Sequence, residues 1–136
     1  MTMDREAEMA VPAESEPRLL INTGRAAEAA RDDAAGAIWK LETAERHLDA
    51  NVIALPAGTI IQKHWGPDLD VMMHVIAGSG RLTTESGYVD LNPGDLIWLP
   101  RRSQRQITAG RAGLRYLTVH PRRQSLVLEP PGPRGS

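Results

Sequence analysis

Two stretches of this chain decide its fold. The first reads 58-GTIIQKHWGPDLDVMMHVIAG-78 and the second reads 94-GDLIWLPRRSQRQITA-109. Each begins where a glycine closes a proline-containing turn, at 56–58 in the first and 92–94 in the second. Glycine takes positive φ angles at little steric cost, so both turns are predicted to reverse the chain. The residues that follow are mainly apolar or β-branched in short runs, which is typical of β-strands.

Short strands are predicted along most of the remaining chain. A short Ala-rich helix is expected over 26–33 and is ended by Gly36. Strands are predicted at 38–42, 48–55, 59–64, 71–76, 81–84, 88–91, 96–99, 104–108 and 114–120, with 125–128 as a further edge strand. So many short strands separated by turns indicate an all-β fold, a jelly roll of two packed sheets.

Five framework residues resemble, in their spacing, the two sequence motifs of the cupin superfamily. Those motifs have the forms G-x5-H-x-H-x(3,4)-E-x6-G and G-x5-P-x-G-x2-H-x3-N. The residues that fit without a gap are Gly58, His64, Gly78, Gly94 and Pro100. The resemblance covers about residues 48–120. It implies a cupin-like double-stranded β-helix, which is a jelly-roll barrel, and it implies pairing into a homodimer.

Three of the four positions that hold a metal in the family are changed in this chain. They read His64, Gly66, Val71 and Arg105 where the family pattern has His, His, Glu and His. Gly66 and Val71 offer no donor atom, and a guanidinium stays cationic. One imidazole is too few ligands for a transition metal. We therefore expect no metal and no other cofactor.

The neighbouring carboxylate of Asp70 replaces the family's Glu only if the shorter motif spacing applies. The next motif glycine would then fall at Ala77, so Val71 is the preferred equivalent. Strand alternation also places Val71 and Met73 on one face and Asp70 on the other. Two further departures are Arg102 and Ala109, where the second motif has Gly and Asn.

Arg105 has two interpretations. A guanidinium inside the barrel needs a compensating anion, and it binds a carboxylate or phosphate as a two-pronged donor. Alternatively, its aliphatic stem lies along the barrel wall and its head reaches solvent beside Arg101 and Arg102.

His64 is the candidate acid or base, although it is equally interpretable as a structural residue. Gln62 shares its strand parity and is predicted to face the same cavity. Tyr116 is a candidate acid partner, but the aliphatic residues Leu117 and Val119 suggest that the opposite face of its strand is the core. The predicted ligand-binding set is Gln62, His64, Val71, Met73 and Arg105.

Composition narrows the classes of partner. A net charge of −1 argues against nonspecific binding to nucleic acid or anionic membrane. The absence of cysteine excludes disulfides and Cys-ligated metals. No apolar run is long enough to span a bilayer, and the acidic N-terminus lacks signal-peptide features, so a cytoplasmic location is expected.

Three segments are expected: a disordered acidic tail at 1–18, the cupin-like barrel domain at 19–128, and a disordered Pro/Gly-rich tail at 129–136. The leading function is metal-independent binding of a small, possibly anionic organic molecule in the barrel, as a sensor or carrier. One alternative is a metal-free enzyme, an isomerase or epimerase with His64 as acid/base. Another is a dimeric interaction domain whose pocket is filled.

Overall fold

A computed structural model describes residues 16–123. The predicted edge strand at 125–128, the tail at 129–136 and most of the tail at 1–18 lie outside the described residues. Within the described part, Arg18 is attached to the domain, since its Nη2 atom donates a hydrogen bond to the Thr43 hydroxyl at 3.1 Å. The domain boundaries at 19 and 128 remain predictions.

The described chain contains one helix and seven strands, which confirms the all-β prediction. Helix α1 spans Thr23–Ala29, and the strands are β1 (Gly36–Lys40), β2 (Leu48–Leu55), β3 (Ile60–Trp65), β4 (Val71–Thr84), β5 (Gly87–Leu91), β6 (Leu96–Leu99) and β7 (Gln104–Pro121). The helix begins earlier than predicted because the Asn22 side chain caps it, accepting a hydrogen bond from the Arg25 amide at 2.9 Å.

Two pairs of predicted strands are joined into single long strands. The predicted strands 71–76 and 81–84 together form β4, and 104–108 and 114–120 together form β7. The β4–β7 pairing shifts its register between Gly78 and Gly80, and Gly113 of β7 has a φ of 77°. Glycines at such irregularities let a strand bend without ending, so the sequence signal for a turn marks a bend here.

The long strands hold the two halves of the barrel together. The strand order is β1-β2-β7-β4-β5, with β3 added on β7 and β6 added on β4, and every pairing is antiparallel. The first half of β4 pairs with β6 and its second half with β5, while the first half of β7 pairs with β3 and its second half with β2. The sheet therefore folds over at the bends and encloses one interior.

Apolar side chains fill the centre of this interior. The buried cluster consists of Leu55, Val71, Met73, Val75, Leu82, Leu91, Leu99, Ile107, Ala109, Leu114 and Tyr116. On β7, the interior face is the one that carries Leu114 and Tyr116. The expectation that Leu117 and Val119 mark the core face was wrong, because Tyr116 pairs in register with Val75 and so turns its side chain inward.

Candidate functional site

Arg105 occupies the space above Gly66, so two positions that correspond to metal ligands in the cupin motifs form one packed unit in this chain. The Arg105 side chain points into the barrel and is only 5% exposed. A Cβ atom built on Gly66 would collide with the Nη2 and Cζ atoms of Arg105. Residue 66 can therefore carry no side chain while Arg105 keeps this position.

Neutral oxygen atoms hold the Arg105 guanidinium. Its Nη2 atom donates to the Ser103 hydroxyl at 2.8 Å and to the Pro100 carbonyl at 3.0 Å, and its Nε atom donates to the Ser103 carbonyl at 3.2 Å. The guanidinium is therefore held against the β6–β7 loop instead of extending into solvent beside Arg101 and Arg102, and only its Nη1 end is open to solvent. Burial lowers the pKa of Arg105 because desolvation disfavours the cation. The guanidinium still remains protonated in proteins.

The two-pronged donor edge of Arg105, which was predicted to bind an anion, already donates its hydrogens to oxygen atoms of the protein. That edge consists of Nε and Nη2, whose three N–H groups match the three acceptors on Pro100 and Ser103. The sequence predicts an anion as the partner of a guanidinium inside the barrel, whereas the structure shows neutral oxygen atoms of the loop between β6 and β7.

His64 and Gln62 lie on an irregular part of β3. Ile61 pairs with Ile107, but His64 pairs with Arg105, so β3 holds one extra residue between the two pairs. This bulge breaks the alternation on which the shared cavity of Gln62 and His64 was predicted. Both side chains are exposed, and the His64 Nδ1 atom donates to the Gln62 carbonyl at 2.8 Å. No glycine or proline in this strand signals the bulge.

Val71 and Met73 point inward, as strand alternation predicts. Val71 is 6% exposed and Met73 is fully buried. Asp70 lies on the other side, where its Oδ1 atom accepts a hydrogen bond from the Arg101 amide at 3.0 Å. Its carboxylate is therefore engaged at the surface.

Tyr116 lies in the apolar cluster, and His64 lies outside it. Tyr116 is 5% exposed, and burial raises its pKa to about 12. No hydrogen bond joins the Tyr116 hydroxyl to His64 in the described part of the chain. A phenol with this pKa is a weak acid at neutral pH, so the geometry gives no support to an acid–base pair of these residues.

The residues at the former metal position do not fit a metal. Gly66 and Val71 have no donor atoms, and the Arg105 cation fills the space between Gly66 and the β6–β7 loop. Within residues 16–123, no group of three or more His, Asp or Glu side chains is arranged to hold a metal ion.

Two of the cavities in the described part of the chain are lined by residues considered above, one by Val71 and the other by Arg105. The first, here called the mouth cavity, has a volume of about 370 Å³ and is lined by Pro67, Leu69, Val71, Thr118, His120 and Arg123. The second, the side cavity, has a volume of about 330 Å³ and lies between the β4–β5 hairpin and the β6–β7 loop, with Arg105 in its wall. The two cavities share no lining residue.

Sequence reasoning missed most of the mouth cavity. Thr118 and His120 belong to the inward face of β7, since Thr118 pairs with inward-pointing Met73 and His120 follows two residues later. The parity of Thr118 and His120 with Tyr116 was the available signal. Of the predicted binding residues, Val71 lines this cavity, whereas Gln62, His64, Met73 and Arg105 do not.

Comparisons with known proteins support the fold. No family model matches the chain, and no curated protein matches it. A cupin protein from Bacteroides fragilis is 22% identical, with a TM-score of 0.56 over 71% of this chain and 86% of that one. A cupin-2 domain containing protein from Shewanella frigidimarina is 15% identical, with a TM-score of 0.59 over 76% of this chain and 95% of that one.

A structure of Bacillus subtilis oxalate decarboxylase, which has Mn(II) centres, is 28% identical over 57% of this chain and 22% of that one, with a TM-score of 0.51. The chain thus matches less than a quarter of that enzyme. Together these likenesses confirm the cupin resemblance at the level of the fold. Among the described residues, no helix is long and apolar enough to cross a membrane.

Proposed function

We propose that this chain is a metal-independent cupin-fold protein that binds a small organic molecule at the mouth of the barrel, as a sensor or carrier. The mouth cavity carries the proposal. Its volume of about 370 Å³ falls within the range of about 300–1,000 Å³ found for small-molecule sites. A cytoplasmic place of action, predicted from the sequence, is part of the proposal.

The lining chemistry favours a mainly apolar ligand with an acidic group. Pro67, Leu69 and Val71 supply an apolar wall. Polar groups come from the Thr118 hydroxyl, the His120 ring and the Arg123 guanidinium, and the lining contains no carboxylate. His120 donates from Nδ1 to the Pro121 carbonyl at 2.9 Å, so the side chains that can donate to a carboxylate group here are Arg123 and Thr118. A short-chain carboxylic acid matches this arrangement of apolar wall and basic rim.

The test uses two probes of similar shape and different charge, hexanoate and hexanamide. We expect hexanoate to raise the melting temperature of the purified protein, because a ligand that binds only the folded state stabilises it. Thr118→Phe should abolish the effect by filling the cavity. Arg123→Gln should weaken the response to hexanoate and leave the weaker response to hexanamide unchanged.

Arg111→Gln is the matched control, since Arg111 is exposed and lines neither cavity. Mass spectrometry of the denatured protein would identify a co-purified ligand in parallel. No response to hexanoate together with no co-purified organic molecule, or an equal response in Thr118→Phe, would contradict the proposal.

The exposed outer face of β4 and β6 supports a second proposal, association as a symmetric homodimer. Met72 pairs in register with Trp98, and His74 pairs with Leu96. Met72, Leu96 and Trp98 are 43%, 61% and 57% exposed, so this strand pair presents adjacent apolar side chains to solvent. A second copy would cover this face with the same face in an isologous contact.

Light scattering tests the dimer directly. We expect the mass of a dimer at micromolar concentration and the mass of a folded monomer for Trp98→Glu. Tyr88→Glu is the control, because Tyr88 is 59% exposed on β5, which pairs with residues 80–84 of β4, whereas β6 pairs with residues 71–74. A monomeric wild-type protein would contradict the dimer proposal. It would not affect the proposal of ligand binding in the mouth cavity.

A further inference from the structure

One end of the Arg105 guanidinium has no hydrogen-bond partner among residues 16–123. Its Nε and Nη2 atoms use their three N–H groups on Pro100 and Ser103. The two N–H groups of Nη1 find no acceptor among residues 16–123, and no carboxylate there forms an ion pair with Arg105. Nη1 is also not among the fully buried polar atoms that lack a partner, so solvent reaches it. No acidic side chain among residues 16–123 therefore neutralises the Arg105 cation, and its Nη1 atom keeps two open donors.

The side cavity supplies room beside this cation. Its wall includes Arg105, Ser103, Gln104 and Trp98, and it opens to the surface. The Ser103 hydroxyl accepts from Arg105 at 2.8 Å, so its own hydrogen remains free to donate. The Gln104 amide is a further N–H donor in the lining of the cavity. Donors therefore prevail around the buried charge.

We infer that the side cavity is a second binding site, specific for a small oxyanion such as a phosphate or carboxylate group. One anion oxygen would accept from Arg105 Nη1, and the Ser103 hydroxyl would donate to the same group. Charge-assisted hydrogen bonds of this kind are the strong ones, and low exposure of the cation strengthens them further. This site is separate from the mouth cavity, with which it shares no lining residue.

Glu85 makes the inference testable in both directions. It lies in the wall of the side cavity and is exposed, so its carboxylate repels an incoming anion. Removing this charge should strengthen binding, whereas removing the Arg105 charge should abolish it. A merely structural Arg105, which only ties β7 to the β6–β7 loop, predicts neither result.

The experiment measures the dissociation constant of inorganic phosphate by calorimetry at constant ionic strength, with acetate as a second probe. We expect saturable binding that weakens at least tenfold in Arg105→Met. Glu85→Gln should bind about threefold more tightly, the size expected for one partly screened charge. Arg102→Gln is the matched control, because Arg102 is exposed and lies outside the side cavity. Phosphate alone would indicate a phosphate site, and response to both probes a general oxyanion site.

Wild-type protein gives a readout that does not depend on the folding of a variant. Phosphate should shift the side-chain nitrogen resonance of Arg105, assigned in the wild-type protein by through-bond correlation to its own backbone amide. Arg123→Gln, in the mouth cavity, should bind phosphate unchanged. The inference is overturned if phosphate does not bind, if Glu85→Gln has no effect, or if loss of binding follows Arg123 and not Arg105. These outcomes are independent of the hexanoate experiment.

Discussion

Gly78 and Gly66 both forbid a side chain, but for different reasons. Gly78 has a φ of 81°, and a Cβ atom there would collide with the backbone carbonyl of Gly113 in the neighbouring strand. At Gly66 the obstacle is the far end of the Arg105 side chain. One restriction is therefore built into the path of the backbone, and the other depends on which residue stands at 105. The backbone thus constrains the framework position Gly78, whereas a neighbouring side chain constrains Gly66.

The largest effect is expected at the framework glycine. Gly78→Ala should lower the free energy of unfolding by about 4 kcal/mol or more, since it adds a backbone clash to an unfavourable φ. Gly58→Ala is the control, because Gly58 has a φ of 76° but nothing within 4 Å of a Cβ atom. It should lose only about 1 kcal/mol. Chemical denaturation of both variants checks the comparison, and equal losses would show that φ alone matters.

At Gly66 the effect should depend on residue 105. Gly66→Ala should cost about 2–3 kcal/mol, because the Arg105 guanidinium must leave its three hydrogen bonds. In an Arg105→Ala background the same change should be neutral or stabilising by up to about 1 kcal/mol, as glycine-to-alanine changes are where space allows.

A double-mutant cycle over these four proteins measures the coupling. Additive losses would mean that Gly66 and Arg105 are not one unit, and the comparison with Gly78 would fail.

The same contrast explains what the sequence could and could not reveal. Turns with a positive φ have a residue signature, so the strands that follow Gly58 and Gly94 were predictable, whereas the continuation of β4 through Gly78 was not. The acceptors of Arg105 are two carbonyls and one hydroxyl in the β6–β7 loop, and no residue pattern marks a carbonyl as a partner. The extra residue in β3 had no signal either, so the exposure of His64 was not predictable.

The interior of β7 offers a third test. Tyr116 is part of the packed core of the barrel and also carries an ionisable group, its hydroxyl. Burial raises its pKa from 10.0 to about 12, so the folded protein holds the proton more tightly than the unfolded chain. Its contribution to stability is full below pH 10 and is lost as the pH rises through 12.

We expect this loss to reach about 2–3 kcal/mol, from about 1.4 kcal/mol per pH unit between the two pKa values. Urea denaturation at intervals from pH 9 to pH 12 measures it, and the difference between wild type and Tyr116→Phe removes the contribution of all other groups. A constant difference across this range would show that water reaches the hydroxyl freely.

The smallest effect is expected at a framework position whose backbone conformation favours glycine. Arg102 stands where the second cupin motif has Gly, and it keeps a φ of 59°. Its exposed Nε atom also pairs with Asp68 at 2.9 Å, a surface contact worth about 0–1 kcal/mol. Comparison of Arg102→Gly with Arg102→Ala removes that contact from both variants and leaves only the backbone term.

Arg102→Gly should then be more stable than Arg102→Ala by about 1 kcal/mol, because a left-handed conformation costs an L-residue about that much. Thermal denaturation of the two variants measures the difference. Equal stability would mean that the β6–β7 loop relaxes out of this conformation. The backbone path would then not restrict the residue type at position 102, as it does not at position 66, where the Arg105 side chain is the obstacle.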